Sequence, residues 1–196
     1  GGNTASYAGS GAVKVDLASH TAYGAHAEGD VLTWIHNLVG SSYSDTLTGD
    51  GGANILAGGK GLDILTGGQG ADTFAYFAPT DGSTRGTNGL KGSALGDSLT
   101  DFQSGLDRMV LDADAFGMAA GMPVKGTNVI VLNTAYNGAN AQGGEWAAGK
   151  ACLIIDSTNT LYYDANGAAD GYTVLASIKS GSQLAATDII LQSHVA

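Results

Sequence analysis

The 196-residue chain has one cysteine, two prolines and eight basic residues, and only two of its 18 acidic residues are glutamate. Each scarcity excludes something. Cys152 alone builds no internal disulfide framework and no multi-cysteine zinc site. Two prolines exclude collagen-like and proline-rich segments. Eight scattered Lys/Arg make no phosphate-binding patch, so nucleic acid is not a partner. No apolar run approaches the roughly 18 residues of a membrane-spanning helix. Apolar residues at 43% are too many for a disordered acidic tail. The formal charge is −10, and glycine contributes 32 residues, roughly one in six against a usual share of about 7%.

The preference for Asp over Glu is the most informative bias. Glu favours helices, whereas Asp favours turns and caps. Short carboxylates set in glycine-rich turns, together with exposed carbonyls, are hard oxygen ligands of the kind calcium prefers. The first residues, Gly1-Gly2-Asn3, carry no starting Met and no cationic or apolar signal region, so the chain reads as a piece of a longer protein or a processed product.

From residue 40 the sequence has a nine-residue period: GSSYSDTLT (40–48), GDGGANILA (49–57), GGKGLDILT (58–66) and GGQGADTFA (67–75). The first position holds glycine in every copy. The sixth holds Asp45, Asn54, Asp63 and Asp72, and the eighth holds Leu47, Leu56, Leu65 and Phe74. Four copies without a slip resemble the repeats-in-toxin (RTX) nonapeptide, G-G-x-G-x-D-x-(apolar)-x, a calcium-binding β-helix repeat. The fold this implies is all-β: a short calcium-filled parallel β-roll continuing into an antiparallel sandwich. Six residues turn the chain and three form a strand. Two repeats then complete a coil, and repeats two apart stack about 4.8 Å from each other. Asp45 is expected to stack with Asp63, and Asn54 with Asp72. Eighth-position side chains point inward and seventh-position ones outward.

Residues 1–39 read as an irregular lead-in, 40–78 as the roll, and 79–196 as a C-terminal sandwich with a secretion-signal region, the whole forming one cooperative domain. In the lead-in, Val13, Val15 and Leu17 alternate as in a strand, Asp30-Val31-Leu32 mimics positions six to eight of a repeat, and Leu38 is the next inward residue. Gly1–Thr4 is read as the remnant of an earlier repeat. Downstream, GDSLTDFQSGLDRMVLDADAFG (96–117) resembles the segment after the repeats in serralysin-type C-terminal domains of type I secreted proteins. Strand-like runs follow at 128–132, 151–156, 160–164 and 172–176, with Asn-Gly turns at 137–138 and 166–167 and a closing LAATDIILQ at 184–192. Outward Val31, Ile55 and Ile64 would leave an apolar strip, for which the strands at 128–176 are the expected cover.

The resemblance implies the ligands. One calcium site takes the carbonyls of Ser41 and Tyr43 with Asp45, and those of Gly58 and Lys60 with Asp63. The other takes Asp50, Gly52 and Asn54 with Gly67, Gln69 and Asp72. Asn54 departs from the motif, so its site is expected to bind more weakly and Asn54→Asp to strengthen it. At the ends of the roll, Asp30 is expected to pair with the loop at 40–45, and Asp97 and Asp101 to cap the last turns. Asp164, Asn166 and Asp170 read as a hairpin turn, since the Gly and Glu of an EF-hand are out of place.

No catalytic constellation is present in the sequence. His20, His26, His36 and His194 form no H-E-x-x-H, no G-x-S-x-G elbow exists, and Gly59-Lys60-Gly61 is not a phosphate loop. Cys152 sits in an apolar run and reads as an inert buried thiol. The functional expectation is a non-catalytic, calcium-dependent folding and secretion module at the C-terminal end of a larger exported protein. Its implied partners are several Ca2+ ions and the type I secretion machinery of a Gram-negative bacterium. One alternative is an adhesin or surface-layer module that holds a cell-surface glycan or protein, with Trp34, Trp146, Tyr162 and Tyr163 as its contacts. Another is the C-terminal module of a secreted hydrolase or polysaccharide-modifying enzyme.

Overall fold

A computed structural model of the protein describes residues 2–84, 96–122, 129–132, 134–135, 150–165, 172–179 and 182–193. Its strands are β1 (Asn3–Ser6), β2 (Lys14–Asp16), β3 (Thr21–Tyr23), β4 (Ile35–Val39), β5 (Thr46–Thr48), β6 (Ile55–Ala57), β7 (Ile64–Thr66) and β8 (Thr73–Tyr76). They continue as β9 (Ser83–Thr84), β10 (Asp97–Leu99), β11 (Arg108–Asp112), β12 (Val129–Val131), β13 (Cys152–Ile155), β14 (Thr160–Asp164), β15 (Tyr172–Ile178) and β16 (Ile189–Gln192). Among the described residues no helix is long and apolar enough to cross a membrane.

The nine-residue period is written into the topology. The chain alternates between two sheets, and each strand pairs in parallel with the strand 18 residues on: Thr46 with Ile64, Leu47 with Leu65, Ile55 with Thr73 and Leu56 with Phe74. A residue between two outward neighbours must point inward, so each sheet lines the core with one apolar column. The first column runs Val15, Leu47, Leu65, Leu99, Ile178 and the second Leu38, Leu56, Phe74, Met109, Ile189. All of these side chains are buried, and they belong to one core that reaches from Tyr7 to Leu191. Val13, Val15 and Leu17 are inward as expected, and β1 extends the second sheet in parallel beside β4.

The C-terminal half builds onto the roll edge to edge. β10 pairs with β7 and β11 with β8, both in parallel; β15 then joins β10 and β16 joins β11. The antiparallel portion is the meander β13–β14–β15, with β9 antiparallel to β15 beside it. The outward row is therefore not covered: Val31 is 80% exposed, Ile55 45% and Ile64 46%. The unpaired N–H and C=O groups along β7 and β8 recruit strands more strongly than the outward side chains recruit a second layer. The expected Asn-Gly turns at 137–138 and 166–167, together with Trp146, Asp170 and His194, lie outside the described residues.

Candidate cation sites along the roll

The six-residue turns stack in two ladders, one at each edge of the roll, held by backbone-to-carboxylate hydrogen bonds. On the first edge, Val13 N–H donates to Asp45 Oδ1 at 2.7 Å, Asp45 N–H to Asp63 Oδ1 at 2.7 Å, and Asp63 N–H to Asp97 Oδ1 at 3.0 Å. On the second edge, Asn54 N–H donates to Asp72 Oδ1 and Asp72 N–H to Asp107 Oδ1, both at 2.9 Å. Each sixth-position side chain thus reaches toward the preceding turn and caps it. The pairs Asp45–Asp63 and Asn54–Asp72 form as the period requires. Asp97 continues the first ladder. Asp107 continues the second.

Carbonyl oxygens fill the gaps between stacked turns. A Cβ on Gly59 would come within 2.2 Å of the Ser41 carbonyl, and one on Gly68 within 2.1 Å of the Asp50 carbonyl. Only glycine tolerates that approach, and both residues have positive φ, +87° and +97°. The Tyr43 and Gly58 carbonyls lie in the first gap, and the Gly52 and Gly67 carbonyls in the second. The side chains of Lys60 and Gln69 are exposed, and Gln69 N–H donates to the Asp50 carbonyl at 3.1 Å.

The carboxylates of the ladders are buried. Asp63, Asp72 and Asp97 are each about 1% exposed, and the Oδ2 atom of each is buried without a hydrogen-bond partner. Burial pushes Asp63 up to about 7, aided by the charges of Asp45 and Asp81 and opposed by the Asp45 N–H. Burial and the charges of Asp107, Asp101 and Asp50 push Asp72 up to about 6, against the Asn54 N–H. Asp97 is pushed well above the usual carboxylate range by burial and by Asp63. The buried Tyr76 hydroxyl lies beside Asp97, with no hydrogen bond of normal geometry joining the two. A buried, unpartnered anion is expensive unless a cation or proton neutralises it. The donors here are carboxylate and carbonyl oxygens alone, which fits a hard divalent cation. Among the described residues, no three acidic, His or Cys side chains already converge on one point, so carbonyls are needed to complete any shell.

Two site residues, Asp30 and Asn54, behave otherwise than expected. Asp30 is exposed, takes a hydrogen bond from the Tyr7 hydroxyl at 3.0 Å, and stays off the ladder. The place beneath Asp45 belongs to Val13, because β2 rather than residues 30–32 pairs with β5. Asn54 turns its amide away from Asp72: Nδ2 donates to the His36 carbonyl at 2.7 Å and to Asp50 Oδ1 at 3.2 Å. The backbone group facing it is a carbonyl, which an amide satisfies and a carboxylate repels. Asp101 acts as a clamp, accepting Gly67 N–H and Gly68 N–H, both at 2.8 Å.

Sequence reasoning missed Asp107 and Asp81. Asp107 was readable, since Gly105-Leu106-Asp107-Arg108-Met109 reproduces positions four to eight of the repeat. Asp81 follows no repeat; it accepts Phe77 N–H and Ala78 N–H, and burial raises its pKa. Of the residues proposed for a partner surface, Tyr162 and Tyr163 are each 7% exposed and belong to the interior, whereas Trp34 is 81% exposed.

The family model of the RTX calcium-binding nonapeptide repeat matches residues 39–74 in four copies. No curated protein matches the chain. The chain resembles the solution structure of the AlgE6R2 subunit from the Azotobacter vinelandii mannuronan C5-epimerase, with 22% identity and a TM-score of 0.49 over 100% of this chain and 96% of that one. It also resembles the AlgE6R3 subunit of the same enzyme, with 24% identity and a TM-score of 0.38 over 79% of this chain and 77% of that one. The matched turns are the ones whose carboxylates and carbonyls stack between the strands, and the chain therefore carries four RTX calcium-binding nonapeptide repeats at the centre of a β-roll.

Proposed function

We propose that the chain is a calcium-dependent folding and secretion module of a larger protein exported by a type I system, non-catalytic by itself and active outside the cell. The observation that carries this reading is the set of three buried carboxylate oxygens without partners, on Asp63, Asp72 and Asp97. They sit in a chain of charge −10 whose core is continuous from lead-in to C-terminal strands. Without a cation those carboxylates oppose the stacking of the turns. With calcium, Asp63 and the carbonyls of Ser41, Tyr43, Gly58 and Lys60 hold one ion, and Asp72 with those of Asp50, Gly52, Gly67 and Gln69 holds another.

Because calcium binds the folded chain and not the unfolded one, its binding energy becomes folding energy, about 2.7 kcal/mol per site at a concentration 100 times Kd. In cytosol, where free calcium is scarce, the chain stays open and threadable. At millimolar calcium it closes. Far-UV circular dichroism during a calcium titration tests the folding half: a coil-to-β transition supports it, and an equally folded chain in excess chelator overturns it. Fusion to a passenger in cells with a type I exporter tests the secretion half, which fails if the passenger stays inside.

Trp34 favours a second reading as an adhesive module. Its indole is 81% exposed on a backbone of φ +62°, an unusual conformation for a bulky residue. A cell-surface or glycan-array binding assay with Trp34→Ala separates the two readings.

A further inference from the structure

The sixth-position side chains fall into two groups. In one, a side-chain oxygen (the second of Asp45 and Asp107, the single one of Asn54) accepts the N–H of the residue four back in its own turn. Ser41 N–H donates to Asp45 Oδ2 at 2.5 Å, Asp50 N–H to Asn54 Oδ1 at 2.8 Å, and Gln103 N–H to Asp107 Oδ2 at 2.8 Å. In the other group the second oxygen is buried and unpartnered, on Asp63, Asp72 and Asp97. For the four repeats the difference lies at the second position. Ser41 and Asp50 occupy it in the first two copies, and neither has positive φ. Gly59 and Gly68 occupy it in the last two, with φ of +87° and +97°. That conformation turns the peptide away from the turn's own carboxylate, and Gly68 N–H goes to Asp101 Oδ2 instead.

We infer that, within the four repeats, a second-position glycine opens a cation position on its own Asp, and that another residue there closes it. The roll then holds two cations on repeat residues, Asp63 and Asp72, and a third on Asp97, whose Oδ2 is likewise buried without a partner, while Asp45, Asn54 and Asp107 are the closed ends of the two ladders. The end residues match what they meet. Beneath Asp45 is a backbone N–H, that of Val13, which calls for a carboxylate. Beneath Asn54 is a backbone carbonyl, that of His36, which calls for an amide donor. The last carboxylate of the second ladder, Asp107, has both oxygens taken by N–H groups. In this reading the number of ions follows from the number of ladder carboxylates whose second oxygen is left free, and not from the number of repeats.

The inference rests on the proposed calcium-driven folding, and a count of bound ions separates the two. Equilibrium dialysis of the full chain against calcium, with metal analysis, should give three ions per chain. Asp63→Asn, Asp72→Asn and Asp97→Asn should each lower the count to two. Asp107→Asn and Asn54→Asp should leave it at three, even where they weaken the fold. Circular dichroism at saturating calcium shows which variants fold; should a ligand variant not fold, the wild-type count and the two end variants still decide. A wild-type count of four or more, or a fourth ion gained by Asn54→Asp, overturns the assignment while leaving calcium-driven folding intact. A chain that binds no calcium overturns both.

Discussion

Replacing Asn54 by Asp tests the polarity of the ladder more sharply than any change to a ligand. The substitution restores the consensus residue of the repeat, so a reading by motif alone expects tighter calcium binding. The structure gives the opposite sign. Asn54 is about 1% exposed, and its Nδ2 donates to the His36 carbonyl at 2.7 Å. An Asp there loses that bond, worth about 1 kcal/mol, and leaves a carbonyl facing an oxygen, at about 1–3 kcal/mol. It also sets a second carboxylate against Asp50, whose Oδ1 lies 3.2 Å from the Asn54 amide nitrogen; like charges so close cost about 1 kcal/mol or more. The sum is a loss of about 3–5 kcal/mol. With a urea slope of about 1–3 kcal/mol per molar, the unfolding midpoint at saturating calcium falls by about 1–5 M. Asn54→Ala removes the bond without adding the charge and should lose less than Asn54→Asp. An Asn54→Asp chain as stable as the parent, or one that binds calcium more tightly, would refute the orientation assigned to this amide.

Three further outcomes follow from the same contacts. In chelator, stability should fall as pH rises from about 4 to 7: the folded pKa values of Asp63 and Asp72, about 7 and about 6, exceed the ordinary value of 3.8, so the folded state binds more protons in that window. The apparent calcium affinity should rise over the same window, and calcium titrations followed by circular dichroism at a series of pH values, extrapolated to zero calcium, check both. Phe74→Ala should cost about 3–5 kcal/mol, because the ring is fully buried and its centroid lies 5.9 Å from that of Phe102 across the join of roll and C-terminal half. Calorimetry should show one transition lowered as a whole, and two separate transitions would count against a shared core. Cys152 is buried, and burial with the nearby Asp164 pushes its thiol up to about 12. It should resist a thiol reagent in calcium and react promptly in chelator, and equal rates in the two would contradict calcium-dependent closure.

How much of this was legible in the sequence differs along the chain. The register of the roll was fully readable, because a nine-residue period leaves one way to stack residues 18 apart and marks the inward Leu47, Leu56, Leu65 and Phe74. The strands of residues 128–192 were readable as strands but not as neighbours. Once the period is lost, nothing local says that β10 and β11 prefer the free edges of β7 and β8 to the outward Ile55 and Ile64. Asp107 was readable and overlooked, since its segment repeats the second half of the motif. Asn54 was visible as a departure from the motif, but its meaning depended on the polarity of a backbone group 18 residues earlier. That is a property of the stacking and not of the local sequence. Asp30 failed as a ladder residue for a similar reason: β2, from a stretch without repeats, had already taken the place beside β5.

The central claim is that calcium binding and folding of the roll are one free energy. The most direct measurement is the unfolding free energy of the full chain as a function of free calcium, from urea titrations across a range above Kd. Each tightly coupled ion adds about 1.4 kcal/mol per tenfold rise in calcium. Three ions therefore give a slope of about 4 kcal/mol per decade, and no folded baseline is left in excess chelator. A slope near zero, with the same β signal in chelator as in calcium, would contradict the account.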